Sequence, residues 1–197
     1  MPVTSINLSK RDALVVVDVQ ADFLPGGRLA VPGGDGVVPA LNRYLGLAQR
    51  RGLRVFASRD WHPARHCSFQ SHGGPWPEHC VAGTPGAAFA PGLALPADTV
   101  IIDKGTQEHA DAYSAFEGTD LARRLRDSGA RRLLVGGLAT DYCVRATVRD
   151  ALGEGFDVLL LQDAIRAVNV KPGDCERAER EMEEAGATPV HLQDFAP

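Results

Sequence analysis

Short apolar, β-branched runs alternate along the chain with stretches of helical period. The runs ALVVVDV (13–19), RVFASRD (54–60), TVIIDKG (99–105), RRLLVGG (131–137), DVLLLQDA (157–164) and TPVHL (188–192) read as strands buried on both faces, as in a parallel sheet. Between them Val37, Val38, Leu41, Leu45 and Ala48 recur at helical spacing. So do Leu121 and Leu125; Val144, Val148, Ala151 and Leu152; and Ala178, Met182 and Ala185. Gly52, Gly129, Gly153 and Gly186 are the predicted helix stops. The pattern predicts an α/β fold: a three-layer α/β/α sandwich with a six-stranded, mainly parallel open sheet and right-handed crossovers. At 197 residues the chain suits one domain, 1–197. The stretch from about 61 to 98 breaks the pattern, being rich in Gly, Pro and His without a period. Irregular insertions of that length usually carry function, and two tryptophans argue for order in this one.

Composition narrows the partners. Apolar residues at 44% and charged residues at 23% make a globular balance. A formal charge of -4, with arginine pairs at 50 and 51, 123 and 124, and 131 and 132 dispersed over separate segments, provides no basic field for nucleic acid or an anionic membrane. The N-terminal residues lack the apolar core of a signal peptide, and no run approaches a membrane span. The expectation is a cytoplasmic protein with a small-molecule partner. Cys67, Cys80, Cys143 and Cys175 form no CxxC pair and are expected to be free thiols.

In an open parallel sheet, reactive groups gather beyond the carboxyl ends of the strands. The first run ends at Asp18, the second at Asp60 and the third at Lys104, while the fourth passes through GGLATDYC into a helix bearing Cys143. With Thr140 as N-cap, Cys143 lies in the first helical turn. Free backbone N–H groups and the helix dipole there favour a thiolate and can hold an oxyanion, and Lys104 would lower the thiol further. Singly, each residue has a plainer reading: a lone cysteine is commonly a small buried hydrophobe, a lysine after a strand a solvated turn residue, an aspartate a cap. Together they make an acyl-transfer set, with a thiol to attack, an acid to carry its proton and a cation to hold both.

A second group lies in RDWHPARHCSFQSHGGPWPEHC, residues 59–80, which holds four of the six histidines. Two positions apart on an extended segment, Asp60 and His62 share a face. A later histidine would complete a set of one carboxylate and two imidazoles that leaves coordination positions open. His79, pinned by WPEHC, is the first candidate, ahead of His66 and then His72. The competing reading is a solvated His-rich loop.

VVVDVQADFLPGGRLAV, SRDWHP, WPEHCVAGTPGAAF, DKGTQEHADAYSAFEGT and GLATDYCVRATVRDA together resemble the nicotinamidases of the isochorismatase-like cysteine hydrolase superfamily, in order and spacing over nearly the whole chain. The resemblance implies a triad of Asp18, Lys104 and Cys143, one divalent ion on Asp60, His62 and His79, and an oxyanion hole from the N–H groups of Ala139 and Cys143 after a cis peptide. It also implies a ring pocket of Phe23, Trp76, Tyr113 and Ala139. His66 matches a position that is a metal-side ligand in some members and not in others. The implied activity is hydrolysis of nicotinamide, and also pyrazinamide, to the acid and ammonia through a thioester, in NAD salvage. Zinc is the first choice of ion, with Fe2+ and Mn2+ as alternatives, since the donor set accepts all three. The family leaves a homo-oligomer open. The alternatives are a related amidohydrolase of another small amide or ureido compound, which would lack the DWH and WPEHC pair, and a non-catalytic ligand-binding relative.

Overall fold

The computed structural model describes residues 5–196; the outermost residues of the expected 1–197 domain, 1–4 and 197, lie outside it. Six strands form one sheet: β1 (Asp12–Val17), β2 (Arg54–Asp60), β3 (Val100–Lys104), β4 (Arg132–Leu138), β5 (Asp157–Arg166) and β6 (Thr188–Val190), in the order β3-β2-β1-β4-β5-β6. Every pairing is parallel. The helices are α1 (Val37–Arg51), α2 (Leu121–Asp127), α3 (Arg145–Gly153) and α4 (Asp174–Glu184).

Strand alternation separates two cores. Leu14 and Val16 of β1 join Val55, Ala57, Leu134, Leu159 and Leu161 beneath Val37, Leu41, Tyr44, Leu45 and Ala48 of α1. Ala13, Val15 and Val17 join Phe56, Leu133, Val135, Val158 and Leu160 against Leu121, Leu125, Val148, Ala151 and Met182 of α2, α3 and α4. A strand feeding both cores has no polar face, which is why the runs read as continuous apolar stretches. One helix on one face and three on the other make the α/β/α sandwich. Several predicted boundaries move, and the run read as 188–192 ends as a strand at Val190. The strand read as 157–164 runs on to Arg166 past a register shift opposite Val135 and Gly137, and α3 includes Gly153, the left-handed residue being Gly155.

The strand order reverses direction between β1 and β4, the place where such sheets open a crevice at their carboxyl edge. Close approach of the two strands depends on Gly137, whose φ is 134° and where an added Cβ would sit 2.0 Å from the Val17 carbonyl oxygen. The segment 61–98 has no strand of its own. It folds as short 3-10 turns, Gln70–His72 and Pro85–Ala87, and isolated bridges such as His62 to Val81.

Candidate active site

Register alone brings the first charged groups together. Asp60 and Lys104 are ladder partners at the ends of β2 and β3, and Asp18 follows the last residue of β1. Asp18 has a left-handed φ of 48°, which a non-glycine residue holds only where its surroundings fix it. Ser58 supplies the fixing: its carbonyl accepts the Asp18 N–H at 3.2 Å, and its hydroxyl donates to Asp18 Oδ1 at 2.6 Å. The Lys104 ammonium lies 2.9 Å from Asp18 Oδ2 and 2.5 Å from Asp60 Oδ1, donates to the Ala112 carbonyl at 3.0 Å, and faces Cys143 Sγ at 3.6 Å. Lys104 is 1% exposed, Asp18 0% and Cys143 7%.

Cys143 reaches this cluster from a single π-helical turn, Thr140–Val144, ahead of α3. Thr140 is not its N-cap. Ala139 holds that position, its carbonyl accepting from Tyr142 and Val144, and the Thr140 hydroxyl is buried without a hydrogen-bond partner among the described residues. The Leu138–Ala139 peptide is cis. The expected lowering of the thiol does not appear either. Burial pushes the Cys143 thiol well above its ordinary value; the Lys104 ammonium opposes this, but Asp18 and Asp60 add to it. Burial likewise raises Asp18 against the pull of Lys104, while burial pushes Lys104 down and the two flanking carboxylates outweigh it, holding the ammonium well above its usual value. One ammonium among two carboxylates and a buried sulfur favours a protonated thiol and a carboxyl group able to accept its proton.

The second oxygen of Asp60 serves another group. Ligand atoms of Asp60, His62 and His79 lie within 4.8 Å of one another, all three residues buried. His62 Nδ1 is 2.9 Å from the Gly105 carbonyl and His79 Nδ1 2.8 Å from that of Pro77. A carbonyl only accepts, so each Nδ1 carries the proton and each Nε2 keeps its lone pair, as a metal ligand requires. His62 Nε2 is 3.6 Å from Asp60 Oδ2. The carboxylate stays ionised: burial opposes its charge, and the Lys104 ammonium at 2.5 Å holds it below the usual range. A mixed carboxylate and imidazole set of this kind fits a divalent transition ion. Asp18, Asp60 and Cys143 form another such group, but the Lys104 ammonium already supplies its cation.

His66 is not brought into the donor set. Its Nδ1 meets Ser68 Oγ at 2.7 Å, its Nε2 meets the Ala110 carbonyl at 3.1 Å, and its ring stacks on His62 with centroids 4.1 Å apart. His72 sits in the exposed turn Gln70–His72. Both clusters open into one cleft, lined by Phe23, Leu29, Val31, Trp76, Asp111, Tyr113, Ala139, Tyr142 and Val168 as well as Asp60, His62, His79 and Cys143. Trp76 Nε1 donates to the Tyr113 hydroxyl at 2.9 Å, and Tyr142 packs edge-on against Trp76 at 5.1 Å. The aromatic walls and the Cys143 sulfur face the same space, which suits a flat ring bearing a small acyl group.

Several contributors escape the motif reading. Gln20 pairs with the Asp60 backbone like an extra ladder rung, its Nε2 donating to the Asp60 carbonyl and its Oε1 accepting the Asp60 N–H, both at 2.8 Å. Asp22 accepts the Cys80 N–H at 2.7 Å and so anchors the residue after His79. Tyr142, adjacent to the nucleophile candidate, could have been inferred from its neighbour. Asp22 could not, because its partner is 58 residues away.

The Isochorismatase domain model matches residues 12–194. The nicotinamidase of Escherichia coli (strain K12) is 43% identical, over 93% of this chain and 96% of its own length. Among solved structures, the pyrazinamidase of Pyrococcus horikoshii in complex with zinc superposes with a TM-score of 0.89 at 51% identity, covering 92% of this chain and 99% of that one. PnC1 from L. infantum in complex with nicotinate gives 0.88 at 37% identity, with 98% of each chain covered.

Proposed function

The chain belongs to the isochorismatase family, and we propose that it acts there as a nicotinamidase, an amidohydrolase that converts nicotinamide to nicotinate and ammonia. The observation that carries this reading is the meeting, in one cleft, of a buried sulfur beside Asp18 and Lys104 with the Asp60, His62 and His79 donor set. Pyrazinamide, with the same carboxamide on a nitrogen ring, is a second substrate.

In the proposed cycle Asp18 takes the Cys143 proton as the sulfur attacks the amide carbon. It then delivers that proton to the amide nitrogen, the carbon–nitrogen bond breaks, and ammonia leaves a thioester. Water adds to the thioester with Asp18 accepting its proton, nicotinate departs, and the proton returns to sulfur. Lys104 holds Asp18 and Asp60 in place and balances their charge throughout. The N–H groups of Ala139 and Cys143 receive the developing oxyanion. Asp60, His62 and His79 would hold one divalent ion, zinc ahead of Fe2+ and Mn2+, which supplies a Lewis-acidic contact for a ring nitrogen. Phe23, Trp76 and Tyr113 would stack and orient the ring. We place the reaction in NAD salvage and in the cytoplasm. A net charge of -4 supports a small-molecule partner and not nucleic acid; among the described residues no helix is long and apolar enough to cross a membrane.

The test is ammonia release from nicotinamide, pyrazinamide, benzamide and an N-carbamoyl amino acid, with metal content measured on the same sample. A site built on one polar contact rejects an analogue lacking it by roughly 10⁴-fold, whereas an apolar slot gives only about 10- to 200-fold. The expected result is turnover of the first two and a deficit of the larger size for benzamide. Preferred turnover of the carbamoyl compound would place the chain with the ureido-hydrolysing alternative.

A further inference from the structure

The cleft wall opposite the loop of histidines depends on a carboxylate with no part in the proposed chemistry. Asp141 stands two residues before Cys143, inside the same π-helical turn, and is 4% exposed. Both its oxygens are used: Oδ1 accepts the Val168 N–H at 3.0 Å and Oδ2 the Asn169 N–H at 2.7 Å. These N–H groups lie just past the end of β5, where no neighbouring strand satisfies them, and the buried Asp141 carboxylate accepts from both. The segment is held from its other side as well. Asn169 has a left-handed φ of 56°, and its Oδ1 accepts the N–H groups of Asp174 and Cys175 at 3.1 and 3.3 Å, at the start of α4. Val168, fixed between these two sets of bonds, lines the cleft together with Phe23, Val31 and Ala139.

We propose that Asp141 is a positioning residue for ring binding: it locks Val168 to the turn that carries Cys143, so that the apolar wall and the attacking sulfur keep a constant separation. Its action runs through the backbone of residues 168 and 169. Charge-assisted bonds from one carboxylate to two consecutive N–H groups are stronger than neutral ones and demand two acceptor oxygens. Asn at this position offers one oxygen and turns an NH2 group toward the other N–H, leaving a donor against a donor.

The proposal rests on the nicotinamidase reading, and the wild-type enzyme is its control: failure of wild type to release ammonia from nicotinamide refutes that reading and not this one. With wild type active, Asp141→Asn is expected to raise KM for nicotinamide about tenfold with kcat within about threefold, the signature of lost binding common to ground and transition states. Alkylation of Cys143 by iodoacetamide should stay within about threefold of wild type, a readout that a disturbed nucleophile turn would move. Val168→Ala should raise KM in the same direction. Adding Asp141→Asn to Val168→Ala should raise it by much less than the product of the single effects, since contacting residues that act as a unit are not additive. A folded Asp141→Asn enzyme with wild-type KM overturns the proposal, as does a fall in kcat and alkylation rate at unchanged KM. If Asp141→Asn does not fold, Val168→Ala decides: a wild-type KM there removes Val168 as a determinant of ring binding and the proposal with it.

Discussion

The two halves of the site are built differently. On one side, Asp18, Asp60, Lys104 and the turn of Cys143 sit at the ends of β1, β2, β3 and β4. Their spacing is inherited from the ladder, whose neighbouring strands lie about 4.8 Å apart, and the ladder in turn is fixed by two apolar cores. On the other side, His62 and His79 belong to a segment without strands. Each ring is aimed by one bond to a carbonyl, from Gly105 and Pro77, while Gln20 and Asp22 tie in the backbone at Asp60 and Cys80. Register positions a side chain at little cost in local sequence, whereas a loop must specify each one through individual hydrogen bonds. Asp60 belongs to both halves, with Oδ1 against Lys104 and Oδ2 toward His62.

Removing the sulfur tests that division most severely. Cys143→Ala should lower turnover by on the order of 10⁴-fold or more, the scale seen when a nucleophile is removed, yet leave metal content and thermal stability near wild type, because the metal half does not use it. Activity above a few per cent of wild type, or loss of the metal, would erase the distinction.

Breaking the loop half comes next. His79→Ala should weaken metal binding by roughly 100-fold or more, beyond the usual loss from disturbing an outer-shell partner, with activity falling in parallel as measured by metal analysis and ammonia release. Asp60→Ala should do the same and also leave Lys104 with one carboxylate fewer. If His79→Ala retained its ion, the ligand set would have to be redrawn around other donors.

The seam between the halves can be probed more gently at Gly105. Its φ is 59°, and an added Cβ would lie 2.5 Å from His62 Cε1. Gly105→Ala should therefore displace the His62 ring and reduce metal affinity about 10- to 100-fold, the range for a lost orienting contact, while iodoacetamide still reaches Cys143. Unchanged metal affinity in a folded variant would mean that the ring is aimed by its stack on His66 instead.

The smallest effect is expected within the loop itself. His72 is exposed in the turn Gln70–His72, so His72→Ala should leave metal content and kcat/KM unchanged and shift stability by less than about 0.5 kcal/mol. Loss of the ion from this variant would show that the loop's histidines are not divided as the geometry divides them.

Apolar runs ending in Asp18, Asp60 and Lys104, and a fourth run leading into Cys143, determined the sheet, its parallel sense and the edge where chemistry would lie, because strand burial and crossover handedness are written in local periodicity. The histidines were legible as a cluster, since donor-rich loops stand out by residue type. Which of them would share donor atoms was decided only by the fold: His66 is drawn away by Ser68 and Ala110, and His79 is held in by Pro77. The same holds for the electrostatics. A helix start beside a lysine suggests a lowered thiol, but the burial of the sulfur and its proximity to Asp18 and Asp60 reverse the direction. Asp22 and Asp141 were silent in the sequence because each acts on backbone far along the chain, at Cys80 and at Val168 and Asn169. Local pattern encodes what a segment becomes; long-range bonds between segments, and the desolvation they create, exist only once the chain has closed on itself.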